Sequence, residues 1–379
     1  MTVVFISNFF NHHQAPLSDA LWEQTGGQFT FVETEPMPPM CRQLGYPELK
    51  RGYILPFPEK EEEVLRRILT ADVVIAGSAP EALVRQRIKT GKLLLRYTER
   101  PLRNGRELWK YLPRFCRWHW RNLPGKPIYL LCASAYAPGD YGKFGLFRGK
   151  CWRWGYFPPV KRYILSELMA EKNPKRILWC GRLVGLKHPE EALQAAKRLK
   201  EDGFSFSLGM IGSGEEEAGL REQIAKWGLE DRVQLLGAMP ADQVRREMER
   251  SGIFLFTSDA REGWGAVLNE AMNSGCAVLT SDGPGAVPFL IKPGENGLSY
   301  PFGDREGMYQ ALTKLLRDPE EQRKLGTGAY HTIIDKWNAP AAARRLLAVC
   351  GQLLRGQGLL WFPDGPCSKA EVLKGGQKP

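Results

Sequence analysis

The chain has 379 residues, of which 43% are hydrophobic and 25% charged, and its formal net charge is +11. This is ordinary globular composition, and at this length two domains are the default expectation. No apolar run approaches the roughly 18 residues that a membrane span requires. Five scattered histidines without metal-ligand spacing argue against a structural zinc. The eight cysteines include no Cys-x-x-Cys pair and are best explained as reduced, buried thiols. The sequence therefore predicts a cytosolic α/β protein.

The positive charge is concentrated in the first half of the chain. Residues 101–150 contain ten Lys or Arg but only two acids, Glu107 and Asp140. A basic patch is therefore expected on the first domain.

In the first domain, apolar runs alternate with helical patterns, as in a parallel sheet with crossover helices. The predicted strands are residues 3–7, 29–33, 73–77, 93–97 and 128–132. The predicted helices are residues 17–23, 61–69, 79–89 and 106–121.

A Pro-rich segment at 154–159 and a predicted connector helix at 160–171 separate this half from a second alternation. There the predicted strands are 176–181, 207–211, 233–236, 252–257, 276–280 and 296–300. The predicted helices are 189–200, 216–227, 241–250, 305–316, 319–326 and 339–354, with one more after residue 265. These patterns predict two Rossmann-like domains, 1–165 and 173–338, and a helix and tail at 339–379.

Two glutamates occupy a loop and a helix between predicted buried strands. Glu262 lies in the loop and Glu270 eight positions later on the helix, while Gly263 and Gly265 fall where the helix begins. Glycines there let backbone N–H groups approach an anion. One carboxylate could hold sugar hydroxyls and the other a ribose, with a diphosphate between them. Asn269 is interpreted as a helix-surface residue.

Two further Gly-bearing loops follow strands of the second domain. Gly181-Arg182 and Lys187 lie between a strand and a helix, where ligands bind in open α/β sheets. The guanidinium of Arg can donate two parallel hydrogen bonds to a phosphate, and the ammonium of Lys is a mobile point charge, so both suit a diphosphate. Two solvated cations would fit the same pattern. Gly212-Ser213-Gly214 could approach a ligand or simply turn the chain.

Together these motifs resemble the carboxyl-terminal domain of the retaining GT-B glycosyltransferases of the large family-4 group. Order and spacing agree across about 130 residues. The matching motifs are Gly181-Arg182 with Lys187, Gly212-Ser213-Gly214, Glu262-Gly263-Trp264-Gly265 with Glu270-Ala271-Met272, Ser274-Gly275, 294–297 and Gly303-Asp304.

The resemblance implies a GT-B fold, with two Rossmann-like domains facing across a cleft and the tail returning to the first. It implies a nucleotide-sugar co-substrate, no cofactor and no metal. Arg182 and Lys187 would bind the diphosphate, and with Glu262, which would contact the sugar, they would be catalytic. Glu270 would bind the ribose. The other implied donor contacts are Gly212, Gly214, Gly263, Trp264, Gly265 and Ala266.

The first domain matches the family less well. In place of a Gly-rich loop after the first strand it has His12 and His13, which could hydrogen-bond an acceptor or phosphate, or lie at a helix start. The family's amino-terminal catalytic His has no obvious equivalent. Glu99 follows a predicted strand where that site would lie, and is interpreted either as an acceptor contact or as a plain loop carboxylate.

The basic segment 103–121 has helical order. Its cations are spaced three or four residues apart, so they share one helix face, and Trp109, Trp118 and Trp120 lie between them in the sequence. Pro113 is expected to kink or divide this helix. A basic helix with exposed aromatics is typical of contact with an anionic membrane surface, although a solvated domain helix fits too. No nucleic-acid-binding motif is present.

The predicted function is transfer of a sugar, with retention, from a nucleotide sugar to a saccharide or lipid-linked acceptor in cell-surface polysaccharide synthesis. The predicted location is the cytoplasm, or peripherally the inner face of the membrane. The alternatives are a nucleotide-sugar epimerase of GT-B fold and a non-catalytic sugar-nucleotide-binding module.

Overall fold

In the computed structural model, residues 1–39, 47–103 and 111–373 are described. The chain forms two compact units. The first unit comprises Met1–Pro159 together with Trp337–Pro379, and the second comprises Val160–Lys336. Within the described ranges, no helix has the length and apolarity needed to cross a bilayer.

The first unit is built on a parallel sheet of seven strands in the order β3-β2-β1-β4-β5-β6-β7. The central strands β1 and β4 are buried along their whole length because helices cover both faces, which explains their continuous apolar runs. The strands are β1 (Val3–Ser7), β2 (Phe29–Glu33), β3 (Ile54–Pro56), β4 (Val73–Ala76), β5 (Leu94–Thr98), β6 (Ile128–Cys132) and β7 (Cys151–Arg153).

Five described helices follow these strands, and a sixth comes from the end of the chain. They are α1 (Ala15–Gln24), α2 (Glu61–Thr70), α3 (Glu81–Lys89), α4 (Tyr111–Asn122), α5 (Ala137–Gly142) and α14 (Ala339–Leu354). Helix α14 packs on α1, so the tail is part of the first unit.

The second unit has a parallel six-stranded sheet in the order β10-β9-β8-β11-β12-β13. Its strands are β8 (Asn173–Cys180), β9 (Ser207–Ile211), β10 (Val233–Gly237), β11 (Ser251–Phe256), β12 (Ala277–Ser281) and β13 (Leu298–Tyr300). Its helices are α6 (Leu165–Ala170), α7 (Pro189–Glu201), α8 (Glu217–Lys226), α9 (Ala241–Arg250), α10 (Ala266–Asn273), α11 (Val287–Leu290), α12 (Arg305–Arg317) and α13 (Pro319–His331).

The strand order reverses at β8, which lies between β9 and β11. The loops that follow β8 and β11 therefore leave the same edge of the sheet on diverging paths, and open α/β sheets bind ligands at that point. In the first unit the order reverses at β1, between β2 and β4.

The predicted connector helix at 160–171 is wrong in its first half, since the helix is only Leu165–Ala170. The preceding backbone is held by side chains instead. Lys161 N donates to Asn273 Oδ1 (2.9 Å), and Tyr163 N donates to the Tyr330 hydroxyl (3.0 Å).

The helix predicted to stop at residue 326 continues to His331. Gly326 and Gly328 do not end it. They allow close packing, because a Cβ at either position would collide with the backbone carbonyl of Gly275 or Glu295.

Candidate functional site

The loop after β8 brings Lys187 to the carboxyl edge of the second sheet. It ends in a single 3-10 turn, Gly185–Lys187, anchored by the Thr257 hydroxyl, which donates to the Lys187 carbonyl (2.6 Å). The Lys187 ammonium forms an ion pair with Glu262, and both side chains are largely buried (13% and 15% exposed). Arg182, on the same loop, is exposed. Two predicted site residues that lie 75 positions apart therefore meet.

The loop after β11 carries Glu262 and turns into α10 at Gly265. The left-handed backbone of Gly265 (φ 93°) and its approach to the Phe256 ring leave no room for a side chain. The amide N–H groups of Gly263 and Gly265 have no acceptor among the described residues. Unsatisfied N–H groups at a helix start favour an anion, so this turn can hold a phosphate beside Lys187.

Glu270 lies within α10, the helix that begins after Gly265. Burial raises the pKa of its carboxyl, although Arg245 opposes this. Burial likewise raises the pKa of the Cys180 thiol, at the end of β8, to about 12, with Glu270 raising it further and Lys187 lowering it. Both charged groups therefore lie near one thiol. Within the described chain, no hydrogen bond to the Glu270 carboxylate is found, so it can accept one from a ligand hydroxyl.

Gly212 and Gly214 serve the packing of two loops. A Cβ on either would collide with the carbonyl oxygen of Gly181 or Leu183, respectively. The close approach is fixed by Leu183 N, which donates to the Ser213 carbonyl (2.9 Å). Their predicted contact with a donor stays a prediction, and loop packing alone accounts for these glycines.

Trp264 is fully buried, and its indole N–H donates to Asn269 Oδ1 (2.9 Å). The interpretation of Asn269 as a surface residue is therefore wrong, because it is needed to satisfy a buried indole. Only the backbone of Trp264 can reach a ligand at the loop surface. Ala266 is the first residue of α10 and is half-buried.

His188 links the two loops, a role that the sequence did not reveal. Its ring nitrogens contact Glu190 Oε1 (2.9 Å) and Asp259 Oδ2 (3.1 Å). Hydrogen bonds to Asp259 and then to Glu190 raise the pKa of His188 to about 9. Burial alone would raise the pKa of Asp259, but hydrogen bonds from His188 and Arg261 lower it to about 2. The imidazolium thus joins the Lys187 loop to the Glu262 loop.

Arg245 is a second functional neighbour absent from the predictions. This buried side chain on α9 donates to the Glu270 carbonyl (3.0 Å) and to Asn273 Oδ1 (2.9 Å). It therefore fixes the end of the helix that carries Glu270. In the sequence of an amphipathic helix an arginine is expected on the exposed face, so the sequence does not indicate that Arg245 is buried.

The first unit contains a cavity of about 1050 Å³ at the carboxyl ends of β1, β4 and β5. His13 and Glu99 both line it. Glu99 accepts from the Tyr156 hydroxyl (2.7 Å) and pairs with Arg103 (3.3 Å). The His13 ring lies 6.4 Å from that of Tyr156, centroid to centroid. Glu99 and His13 thus share one polar cavity.

The His12 ring lies against the His13 ring just before α1, with the ring centroids 3.9 Å apart and the ring planes inclined by 43°. Burial lowers the pKa of His12, and burial together with His12 lowers the pKa of His13 to about 4. Both rings are therefore neutral at pH 7, and a neutral imidazole has one donor and one acceptor nitrogen. The Nδ1 atom of each ring is buried, and of the two residues only His13 lines the cavity.

The basic segment is helical from Tyr111 to Asn122, and Arg106, Trp109 and Lys110 lie outside the described residues. Pro113 is the third residue of the described helix, and its predicted effect on the helix stays a prediction because residues 104–110 lie outside the described residues. Arg103 lies before the helix, at Glu99. Trp118 is buried against Tyr141 and Phe144, whereas Trp120 is half exposed (51%).

Within residues 1–39, 47–103 and 111–373, no group of three or more His, Cys, Asp or Glu side chains could hold a metal ion.

Part of the chain is similar in sequence to known glycosyltransferases. Residues 163–332 match the family model described as glycosyl transferases group 1. The amylovoran biosynthesis glycosyltransferase AmsK of Erwinia amylovora is 31% identical over 198 residues, 51% of this chain and 48% of that protein. The putative colanic acid biosynthesis glycosyltransferase WcaL of Salmonella typhimurium is 26% identical over 196 residues, 50% of this chain and 48% of that protein. The chain thus spans about half the length of these relatives.

Solved structures are similar over nearly the whole chain. Alr3699/HepE of Anabaena in complex with UDP superposes with a TM-score of 0.67 at 14% identity, covering 93% of this chain and 100% of that one. The lipopolysaccharide outer core galactosyltransferase WaaB gives 0.67 at 16% identity, covering 94% and 100%. These likenesses show the fold, and the chain has the two Rossmann-like domains of the GT-B type.

Proposed function

We propose that the chain transfers a sugar from a nucleotide sugar to a saccharide or lipid-linked acceptor, because residues 163–332 match the family model of the glycosyl transferases group 1. The anomeric configuration is retained, and the product is part of a cell-surface polysaccharide. The observation that carries the proposal is the meeting of Lys187 and Glu262 at the switch point of the second sheet.

The donor diphosphate would lie on the amide N–H groups of Gly263 and Gly265, beside Lys187 and Arg182. As the bond from the anomeric carbon to the diphosphate breaks, the nucleoside diphosphate leaves with the electron pair and gains negative charge. Fixed cations and N–H groups stabilise that charge most in the transition state, which is what accelerates the reaction.

Glu262 would exchange its contact with Lys187 for the hydroxyls of the donor sugar. Glu270, whose carboxylate is half-buried at the same edge, would accept from the ribose. The names of two relatives support the polysaccharide assignment, since they refer to amylovoran and colanic acid biosynthesis. The UDP in the HepE structure supports a nucleotide donor.

His13 and Glu99 support an acceptor site in the first unit. The neutral imidazole and the carboxylate line a cavity large enough for a sugar, and acceptor hydroxyls can bond to both. The acceptor hydroxyl oxygen would form the new bond to the anomeric carbon, and its proton would pass to the departing diphosphate oxygen.

The first test is binding to a panel of UDP-, GDP- and ADP-sugars by titration calorimetry, followed by turnover with the sugar that binds. Lys187→Ala should weaken binding and lower kcat by about 100-fold, as loss of one transition-state contact does. Lys175→Ala, an exposed cation of the same unit, is the control. Wild-type turnover of Lys187→Ala at saturating donor would refute the assignment.

Substitution of the two glutamates should separate an effect on donor binding from an effect on the rate of transfer. Glu270→Gln should mainly raise the donor KM, and Glu262→Gln should mainly lower kcat. Interconversion of sugar nucleotides without an acceptor would instead identify an epimerase, and tight binding without hydrolysis or transfer would identify a binding module.

A further inference from the structure

Helix α4 presents apolar side chains to solvent along one line. Leu112, Cys116 and Trp120 follow each other at intervals of four residues, so they share a helix face, and all three are exposed (69% for Leu112, 51% for Trp120). The opposite face carries Trp118, which is buried. We call the exposed line the 112–120 ridge. Exposed apolar groups in succession indicate an interaction surface.

The sequence around the ridge is almost purely cationic; in space, Arg85 lies over the Trp120 ring (3.8 Å) and Glu81 pairs with Arg121 (3.7 Å). Residues 111–150 hold a single acid, Asp140, which is buried and paired with Arg100 (3.3 Å) and Lys143 (3.1 Å). Seven cations occur in the same stretch, namely Arg114, Arg117, Arg121, Lys126, Lys143, Arg148 and Lys150. Arg114 and Arg117, beside the ridge, form no ion pair with a carboxylate of the described chain. Their charge is therefore available to an anionic partner.

A small cleft of about 180 Å³ opens where α4 ends, between residues 122–128 and 145–150. Lys126, Arg148 and Lys150 line it, and no acid does. Two bulky lining residues, Leu123 (φ 31°) and Phe147 (φ 55°), adopt left-handed backbone. Such strain persists only where packing enforces it, and it concentrates at ligand-binding sites.

We propose that the 112–120 ridge and the adjoining cleft form a docking surface for a bilayer rich in anionic phospholipid. The ridge would lie at the boundary between headgroups and acyl chains, with Arg114 and Arg117 on the phosphates. The cleft would take one phosphate headgroup. An anionic bilayer matches both features, whereas a nucleic acid would match the cations and stack on Trp120 but leave Leu112 in water. The surface does not depend on the proposed transfer reaction.

The test is co-flotation of the full chain with vesicles of phosphatidylcholine alone or mixed equally with phosphatidylglycerol. Binding is expected only with phosphatidylglycerol, and it should weaken as NaCl rises from ~0.05 M to ~0.5 M, because salt screens exposed charges. Lys126→Glu with Arg148→Glu should lower the apparent affinity at least roughly 25-fold, at roughly fivefold for each cation lost. Lys175→Glu with Lys226→Glu makes the same charge change in the second unit and should leave binding unchanged.

The contribution of the apolar ridge to binding is tested separately, by substitutions at Leu112. Leu112→Asp should abolish flotation, whereas Leu112→Trp should retain it. Leu354→Asp, at an exposed leucine of α14, is the matched control. Unchanged urea unfolding of each variant would show that the fold is intact.

Insertion is read directly from Cys116, which is exposed, while the other described cysteines are buried or half-buried. With Cys41 replaced by Ser, an environment-sensitive fluorophore on Cys116 should shift to the blue on anionic vesicles and not on neutral ones. The proposal is overturned if the wild type fails to float at low salt or if the fluorophore does not respond. It is equally overturned if labelled single-stranded RNA binds at that salt and vesicles do not.

Discussion

At the scale of single residues, the proposed donor site contains two charged side chains that are paired with each other. Lys187 and Glu262 neutralise each other in a region that water reaches poorly, where an unpaired charge would be costly. In the proposed reaction a donor would replace both contacts at once, because its diphosphate would meet the ammonium and its sugar hydroxyls would meet the carboxylate. The ion pair thus holds both side chains near the geometry that binding requires.

His188 makes the stability of the second unit depend on pH. Its pKa in the folded chain is about 9, above the ordinary 6.5, so the charged ring stabilises the fold fully below pH 6.5. That contribution, at most about 3 kcal/mol in free energy of unfolding, should disappear as pH rises through about 9.

The comparison variant is His188→Asn, because Asn tolerates the left-handed backbone at this position (φ 49°). The difference in unfolding free energy between wild type and variant, from urea denaturation, should shrink between pH 6 and pH 10 (~4 pH units that span both pKa values). A difference that is the same at both pH values would contradict the role of the charged ring.

At the scale of elements, the loops after β8 and β9 are joined through glycine. Gly214→Ala should lower the free energy of unfolding by about 2 kcal/mol or more, since its Cβ would meet the backbone of Leu183, which cannot move like a side chain. Gly219→Ala is the control, because Gly219 lies in α8 with open space around its Cβ position and Ala favours a helix. Equal destabilisation of both variants by urea would argue against the packing explanation.

The bounds of several strands and helices were predictable because the arrangement of their apolar residues is distinctive. The strands Val3–Ser7 and Ser207–Ile211 and the helices Ala241–Arg250 and Ala339–Leu354 agree with the predicted bounds. The three-residue strands β3 and β7 escaped prediction, since so few residues show no alternation and only their neighbours in the sheet define them.

The site was predictable where a motif carries it. Glu262, Glu270 and Lys187 lie at one sheet edge because topology brings the ends of β8 and β11 together. Sequence analysis did not predict the roles of His188, Asp259 and Arg245, because these roles come from contacts between residues 25 or more positions apart. The burial of the Trp264 side chain was not predicted for a related reason. Its hydrogen-bond partner Asn269 belongs to a polar pattern that is typical of an exposed helix face.

At the scale of the whole molecule, the chain returns to complete the first unit. Residues 360–370 cover β7, with Arg153 N donating to the Ser368 carbonyl (2.8 Å) and Ala370 N to the Cys151 carbonyl (3.0 Å). The Trp152 indole donates to the Leu360 carbonyl (3.0 Å) and packs on the ring of Trp361. The edge strand is therefore protected by sequence that is more than 200 positions away.

A chain truncated after Lys336 should consequently lose order in the first unit. It would lack α14, whose Asn338 caps the helix by accepting from Ala341 N (2.9 Å), and it would expose both α1 and β7. Hydrogen exchange measured by mass spectrometry should show fast exchange at Cys151–Arg153, while amides of β8 and β11 stay protected because their sheet lies wholly within Val160–Lys336. Truncation after Leu373 keeps every one of these contacts and should leave the exchange of β7 as slow as in the full chain. Slow exchange at β7 in the shorter chain would mean that the sheet of the first unit is stable without its tail.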